Sequence, residues 1–333
     1  MLGYLFPGQG TVRVGMGAWL RRSRAARQRL DQIDALLPRP ISPLCARGPL
    51  DSLVATEHAQ IAVTACNLAA LAVLGEEGYE PTVVAGHSVG ELSALHAAGV
   101  LDLAGTVRLV ALRARLMAGV AVSGGMRAVM GLPVERVERY AADASEPGEP
   151  VVVGLENAPG HVVVSGSPAA LDRLAELAVD ADKIVPLRVG NAFHSPLMAG
   201  AERAWAAAVA AAPMDEPRVP VVPNVTGEPT TDLAVLRQAL VAQLTGRVRW
   251  TRTMETIAPA PPGPALDPAT DTALDPVLDP VLDTASETVP VVEVGDSKVL
   301  TGLARRTGVR CLSMADPTTL RRLAKAVARE PVG

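Results

Sequence analysis

The sequence predicts an α/β protein in which a parallel sheet, covered by helices, is interrupted by a smaller unit. Three observations lead there. Short apolar runs alternate with helical stretches at both ends of the chain. A G-x-S-x-G pattern, Gly86 to Gly90 in "GHSVGE", stands between an apolar run and a helix-like run, where a tight turn would lift a serine hydroxyl above a sheet. From about Gly124 the rhythm changes to strand, helix, two strands, helix, strand, the order of the ferredoxin-like split unit.

The elements follow in order. "LGYLFPGQG" reads as a strand ending in a Gly-rich loop, "HAQIAVTACNLAALAVLGEEG" as a helix stopped by glycines, and "PTVVAGHS" as the strand entering the serine turn. "MRAVMGL", "PVERVERYAADA", "PVVVGLENA", "HVVVSGS", "PAALDRLAELAV" and "DKIVPLRVG" supply the elements of the smaller unit. The expected organisation is a large α/β-hydrolase-like subdomain over 1–123 and 191–333, with a ferredoxin-like subdomain inserted at 124–190. Within the second part, 258–290 carries Asp267, Asp271, Asp275, Asp279, Asp283 and Glu287 at regular spacing, but Pro268, Pro276 and Pro280 recur among them. Interior prolines oppose a helix, so the segment is expected to be an extended, disordered acidic loop. "VPVVEVGDSKVLTGLARR" then resumes as a buried strand, a turn and a helix.

Composition narrows the class of protein. A chain of 333 residues with 49% hydrophobic content can bury a sizeable core, and a net charge of -4 without a long basic run excludes the electrostatic footprint of a nucleic-acid binder. Cys45, Cys66 and Cys311 lack the paired spacing of a metal site or disulfide framework and are expected to be reduced thiols. The first residues show no signal-peptide pattern, and there is no run of 18 wholly apolar residues. A cytoplasmic protein without a membrane or metal is expected.

Ser88, the central residue of the turn, is the candidate nucleophile. On the first turn of a helix it would lie near free backbone N–H groups able to hold an oxyanion, and Glu91 also suits that turn. A serine nucleophile needs a base. Among His58, His87, His96, His161 and His194, His87 adjoins the serine but points elsewhere on the turn, and His96 is two turns along the next helix. His194, in "GNAFHSPLM", opens the return from the small unit in a proline-bounded loop and is the candidate by position. In "TVRLVALRARLMAGV", taking about 100° per residue, Arg113 falls at the centre of the apolar side while Arg108 and Arg115 fall opposite. A buried guanidinium cannot shed its charge and must meet an anion. That anion is either a buried carboxylate such as Glu91 or a carboxylate on a substrate.

"FPGQG", "GHSVGE", Arg113, "ENAPGHVVVSG", "AFHSPLM", "NVTG", "QLTGRVRW" and "EVGDSKVLTGL" occur in this order. Together they resemble the malonyl-CoA:acyl carrier protein transacylase family, over nearly the whole chain outside the acidic segment. The resemblance implies that Ser88 carries the acyl group and that His194 is its base, oriented by the backbone carbonyl of Gln243. It also implies an oxyanion hole from the N–H groups of Gln9 and Val89, and Arg113 as the binder of the malonyl carboxylate. Phe193 and Val89 resemble the pattern of malonyl-selective over methylmalonyl-selective relatives. Substrate and partner would be malonyl-CoA and an acyl carrier protein with its phosphopantetheine, with no bound cofactor and a monomeric enzyme. Thr11, Val12, Asp296, Ser297, Gly246 and Arg247 depart from the family pattern. The alternatives are a proofreading thioester hydrolase of the same fold and a non-catalytic carrier-docking protein. An ordinary esterase would place an acid between serine and histidine and need no inward arginine.

Overall fold

A computed structural model describes residues 2–257 and 290–327. The fold is α/β, with a parallel sheet and a second, mainly antiparallel one. The strands are β1 (Gly3–Phe6), β2 (Val83–Gly86), β3 (Gly125–Met130), β4 (Val151–Ala158), β5 (His161–Gly166), β6 (Lys183–Pro186), β7 (Val221–Val222), β8 (Val248–Arg249), β9 (Val291–Glu293) and β10 (Cys311–Ser313). The first sheet runs β10-β9-β1-β2-β7 and every pair in it is parallel. Its central strand, GYLF, is buried along its whole length, as expected where helices cover both faces.

The helix Thr56–Glu76 is apolar and long enough to cross a membrane by length and composition. Most of it is buried, however, and Val63, Leu68, Val73 and Leu74 belong to the main core together with Tyr4, Phe6 and Trp205. Its apolar character on all sides is therefore that of a helix enclosed by protein.

Two glycines explain how the serine turn packs on the sheet. Phe6 and Gly86 stand opposite each other at the carboxyl ends of β1 and β2. A Cβ on Gly86 would lie 2.0 Å from the Gly90 carbonyl group, and one on Gly90 would lie 2.1 Å from the Phe6 carbonyl oxygen. Only bare backbone fits, so the loop after β1 and the turn after β2 lie side by side. This is where open parallel sheets bind ligands.

The second sheet has the order β6-β3-β5-β4, all antiparallel, with helices Val134–Ala144 and Pro168–Leu177 between strands in the expected chain order. It has its own cluster of buried side chains, including Val129, Val137, Val164 and Leu174. One feature differs from expectation: β8, from outside 124–190, adds to its edge in parallel with β4, pairing Val248 with Leu155. Periodicity does not reveal this pairing, because two residues of strand carry no pattern. The acidic segment lies outside the described residues.

Candidate active site

The backbone presents Ser88 and His194 in an unusual way. Among the described residues they are the non-glycine residues with positive φ, 54° and 58°. Such geometry is costly for residues with a Cβ and persists where surrounding structure enforces it. For Ser88 the enforcement comes from its own N–H, which donates to Asn224 Oδ1 at 2.7 Å, while Asn224 Nδ2 donates to the Gly86 carbonyl at 2.6 Å. For His194 it comes from the loop that leaves β6. There Asn191 Nδ2 donates to the Met117 carbonyl at 2.7 Å and Ser195 Oγ to the Ala192 carbonyl at 2.6 Å, with Pro196 starting a 3-10 turn.

These loops bring Ser88 Oγ within 2.8 Å of His194 Nε2. His194 Nδ1 lies 2.9 Å from the Gln243 backbone carbonyl, which can only accept, so Nδ1 carries the proton and Nε2 is left to accept from the serine. His194 is 3% exposed. Burial, with the nearby Arg113 charge second, pushes its imidazole down to about 3, so the ring is a neutral acceptor across the physiological range.

Arg113, on the helix Leu103–Ala118, is buried as its helical phase predicts. Its Nη1 donates to Gln60 Oε1 at 2.7 Å, and its Nη2 reaches Gln243 Oε1 at 2.8 Å and Ser88 Oγ at 3.3 Å. Its Nε has no partner among the described residues. Glu91 does not pair with it directly. Glu91 Oε2 instead accepts from the Gln243 Nε2 at 2.9 Å and from the Asn224 N–H at 2.8 Å, so carboxylate and guanidinium meet through the Gln243 amide. Burial holds the Arg113 guanidinium down to about 10 and lifts the Glu91 carboxyl to about 7.

Gln9 opens the 3-10 turn Gln9–Thr11 after β1, and Val89 immediately precedes the helix Gly90–Ala97. Neither backbone N–H has an acceptor among the described residues. Phe193 and Val89 are both buried in the main core, Phe193 at 6% exposure. The other histidines lie apart from this arrangement. His87 Nε2 bonds Asn157 Oδ1 at 2.9 Å with its ring edge-on to Trp250, His58 Nδ1 bonds the Ser52 carbonyl at 2.8 Å, and His161 is in β5.

Sequence reasoning did not single out Gln60, Asn224 or the side chain of Gln243, and it offered Glu91 as a first-turn acid and as one possible direct partner of Arg113, not as a carboxylate reached through an amide. Gln60 could have been noticed, with Asn67, as one of two amides in a largely apolar helix. The double use of Gln243, carbonyl to His194 and side chain to Arg113, has no linear signal. Asp296, a departure from the family pattern, is buried and accepts from Arg13 Nη2 at 2.7 Å, the Gly17 N–H at 2.7 Å and Trp19 Nε1 at 3.0 Å. It ties the loop that follows Gln9 to the end of β9. Among the described residues no cluster of His, Cys, Asp or Glu could hold a metal ion.

A serine hydroxyl held against a neutral imidazole at the carboxyl end of a parallel sheet is the arrangement of enzymes that pass acyl groups through a serine ester. Residues 3–265 match the acyl transferase domain family, and the chain belongs to it. It is 34% identical over 304 residues to the malonyl CoA-acyl carrier protein transacylase of Synechocystis sp., covering 91% of this chain and 92% of the relative. The acyl-carrier-protein S-malonyltransferase of Bartonella henselae superposes with a TM-score of 0.85 at 31% identity, covering 98% and 99% of the two chains. A malonyl-transacylase solved in complex with its type II PKS acyl-carrier protein superposes with a TM-score of 0.84 at 29% identity, covering 98% and 99%.

Proposed function

We propose that this chain transfers a malonyl group from coenzyme A to the phosphopantetheine thiol of an acyl carrier protein through a malonyl ester of Ser88. The observation that carries the reading is Arg113, a buried guanidinium with an unpartnered Nε and with Nη2 3.3 Å from Ser88 Oγ. A planar cation there suits an acyl group that ends in a carboxylate.

In the first half-reaction His194 Nε2 takes the Ser88 proton as Oγ attacks the thioester carbonyl. The Gln9 and Val89 N–H groups are assigned the oxyanion, each such donor being worth about 3 to 4 kcal/mol in comparable sites. Collapse breaks the carbon–sulfur bond, and His194 returns its proton to the departing thiol. The carrier's thiol then attacks the ester by the same steps in reverse order, restoring Ser88. The Gln243 carbonyl keeps His194 in the tautomer that both halves need. A thioester hydrolase would use the same groups with water, but it has no need of a buried cation for the acyl terminus.

Phe193 and Val89 are assigned the preference for malonyl over methylmalonyl groups. We take residues 1–123 and 191–333 as the α/β-hydrolase-like subdomain and 124–190 as the ferredoxin-like insert of a monomer. We place the protein in the cytoplasm, in keeping with three free cysteines. The test is intact-mass analysis after incubation with malonyl-CoA. One malonyl group should appear, map to Ser88 and vanish in Ser88→Ala; an adduct at any other residue would refute the reading.

A further inference from the structure

Glu91 is a buried carboxylate for which the acyl-transfer steps have no use. It is 2% exposed, on the helix that begins beside the nucleophile. Its Oε2 is held by the Asn224 N–H and by Gln243 Nε2, and the same Gln243 amide turns its Oε1 to Arg113 Nη2 at 2.8 Å. A single primary amide therefore bridges a buried cation and a buried anion. In the empty site the two charges cancel wherever Glu91 is ionised. A substrate carboxylate seated on Arg113 brings a second negative charge into the same enclosed space, where two anions sharing one cation disfavour each other strongly.

We propose that Glu91 is the charge-compensating residue of the site, taking one proton from solvent when a substrate carboxylate is seated on Arg113 and returning it when the acyl group leaves. The proposal rests on the reading of Arg113 as the carboxylate binder. Asn224, Gln243 and Arg113 act on Glu91 directly, and the remaining groups of the site leave it as the proton acceptor. From the helix Leu103–Ala118 comes Arg113, which stays charged. His194, from the loop after β6, is held down to about 3 by burial, and His87, at the end of β2, is also shifted down by burial. Gln60, Asn224 and Gln243 do not titrate. Glu91 alone among them is poised near neutrality, at about 7, because burial disfavours its charge. The chemistry itself balances without a net proton: the serine O–H and the thioester become an ester and a thiol. Any proton taken up below the thiol's own titration is therefore additional.

The experiment is single-turnover loading with malonyl-CoA in weak buffer with a pH indicator dye, each sample also weighed for malonyl-serine. Wild type should take up about half a proton per adduct at pH 7 and close to none at pH 6, where Glu91 is already protonated. Loading of wild type with acetyl-CoA, which brings no terminal carboxylate, should take up none. Glu91→Gln should form the adduct with no uptake at either pH. Adduct without uptake in wild type at pH 7 overturns the proposal while leaving the transfer reaction standing, and so does equal uptake with acetyl-CoA. Undiminished uptake in Glu91→Gln overturns it in favour of His194. Absence of any adduct removes the transfer reading and this proposal with it. Should Glu91→Gln fail to fold, the comparison of pH 6 with pH 7 and of malonyl with acetyl in wild type decides the matter alone.

Discussion

Replacing Arg113 by glutamine removes the charge while leaving an amide that can still donate toward Gln60 Oε1 or Gln243 Oε1, its partners at 2.7 and 2.8 Å. The magnitude follows from burial. The guanidinium is shifted from 12.5 to about 10, chiefly by desolvation. At about 1.4 kcal/mol per unit, the enclosed cation is disfavoured by roughly 3 kcal/mol. A substrate carboxylate that seats on it offsets a cost of that order, which corresponds to about two orders of magnitude in malonyl transfer. Acetyl groups gain nothing from the charge. In Arg113→Gln, kcat/KM for malonyl-CoA should therefore fall roughly a hundredfold or more while that for acetyl-CoA stays within a few fold. The assay is competition between the two thioesters, read as the ratio of the two serine adducts by mass spectrometry. Equal losses for both donors would refute the reasoning and leave Arg113 as a structural cation held for Glu91 and Gln243.

Three further outcomes follow from the same structure. Phe193→Ser should narrow the preference for malonyl-CoA over methylmalonyl-CoA, because one methyl group in a pocket is worth only about 1 to 3 kcal/mol; an unchanged adduct ratio would make Phe193 a core anchor only. Asp296→Ala strips partners from Arg13, the Gly17 N–H and the Trp19 indole, and should lower the unfolding free energy by on the order of 3 kcal/mol in urea titrations. A midpoint equal to wild type would show that the loop is held by other contacts. Stability should fall as pH drops below about 6.5. Burial shifts His194 down to about 3 and His161 to about 4, with His87 and His96 also lowered, so these rings stay neutral in the fold while the unfolded chain takes up protons. Glu91, raised to about 7, and Glu156, raised as well, work the other way above about 4.5, and two groups offset four only in part. A melting temperature that is flat or rising between pH 6.5 and 5 would contradict the neutral, buried imidazoles.

The chain's local chemistry was enough to determine several features. Gly86 and Gly90 are demanded because a Cβ at either would lie 2.0 or 2.1 Å from neighbouring backbone, and a tight turn between strand and helix writes itself as G-x-S-x-G. The strand and helix order of the small sheet was legible because each element is long enough to show its period. Arg113 was legible as an inward cation because a sixteen-residue helix fixes the phase of every side chain it carries. Tertiary structure alone decided the rest. The Val248–Leu155 pairing joins segments too short to carry a pattern. His194 was a choice by position among five histidines until the fold brought it within 2.8 Å of Ser88 Oγ. Glu91 reads as a first-turn acid and a possible direct partner of Arg113, yet the enclosed carboxylate meets that cation only through an amide 152 residues further along the chain. Period and turn chemistry are properties of neighbours in sequence and survive in the string of letters. The protonation state, partner and solvent exposure of a buried group depend on what distant segments place around it, and only the packed chain supplies that.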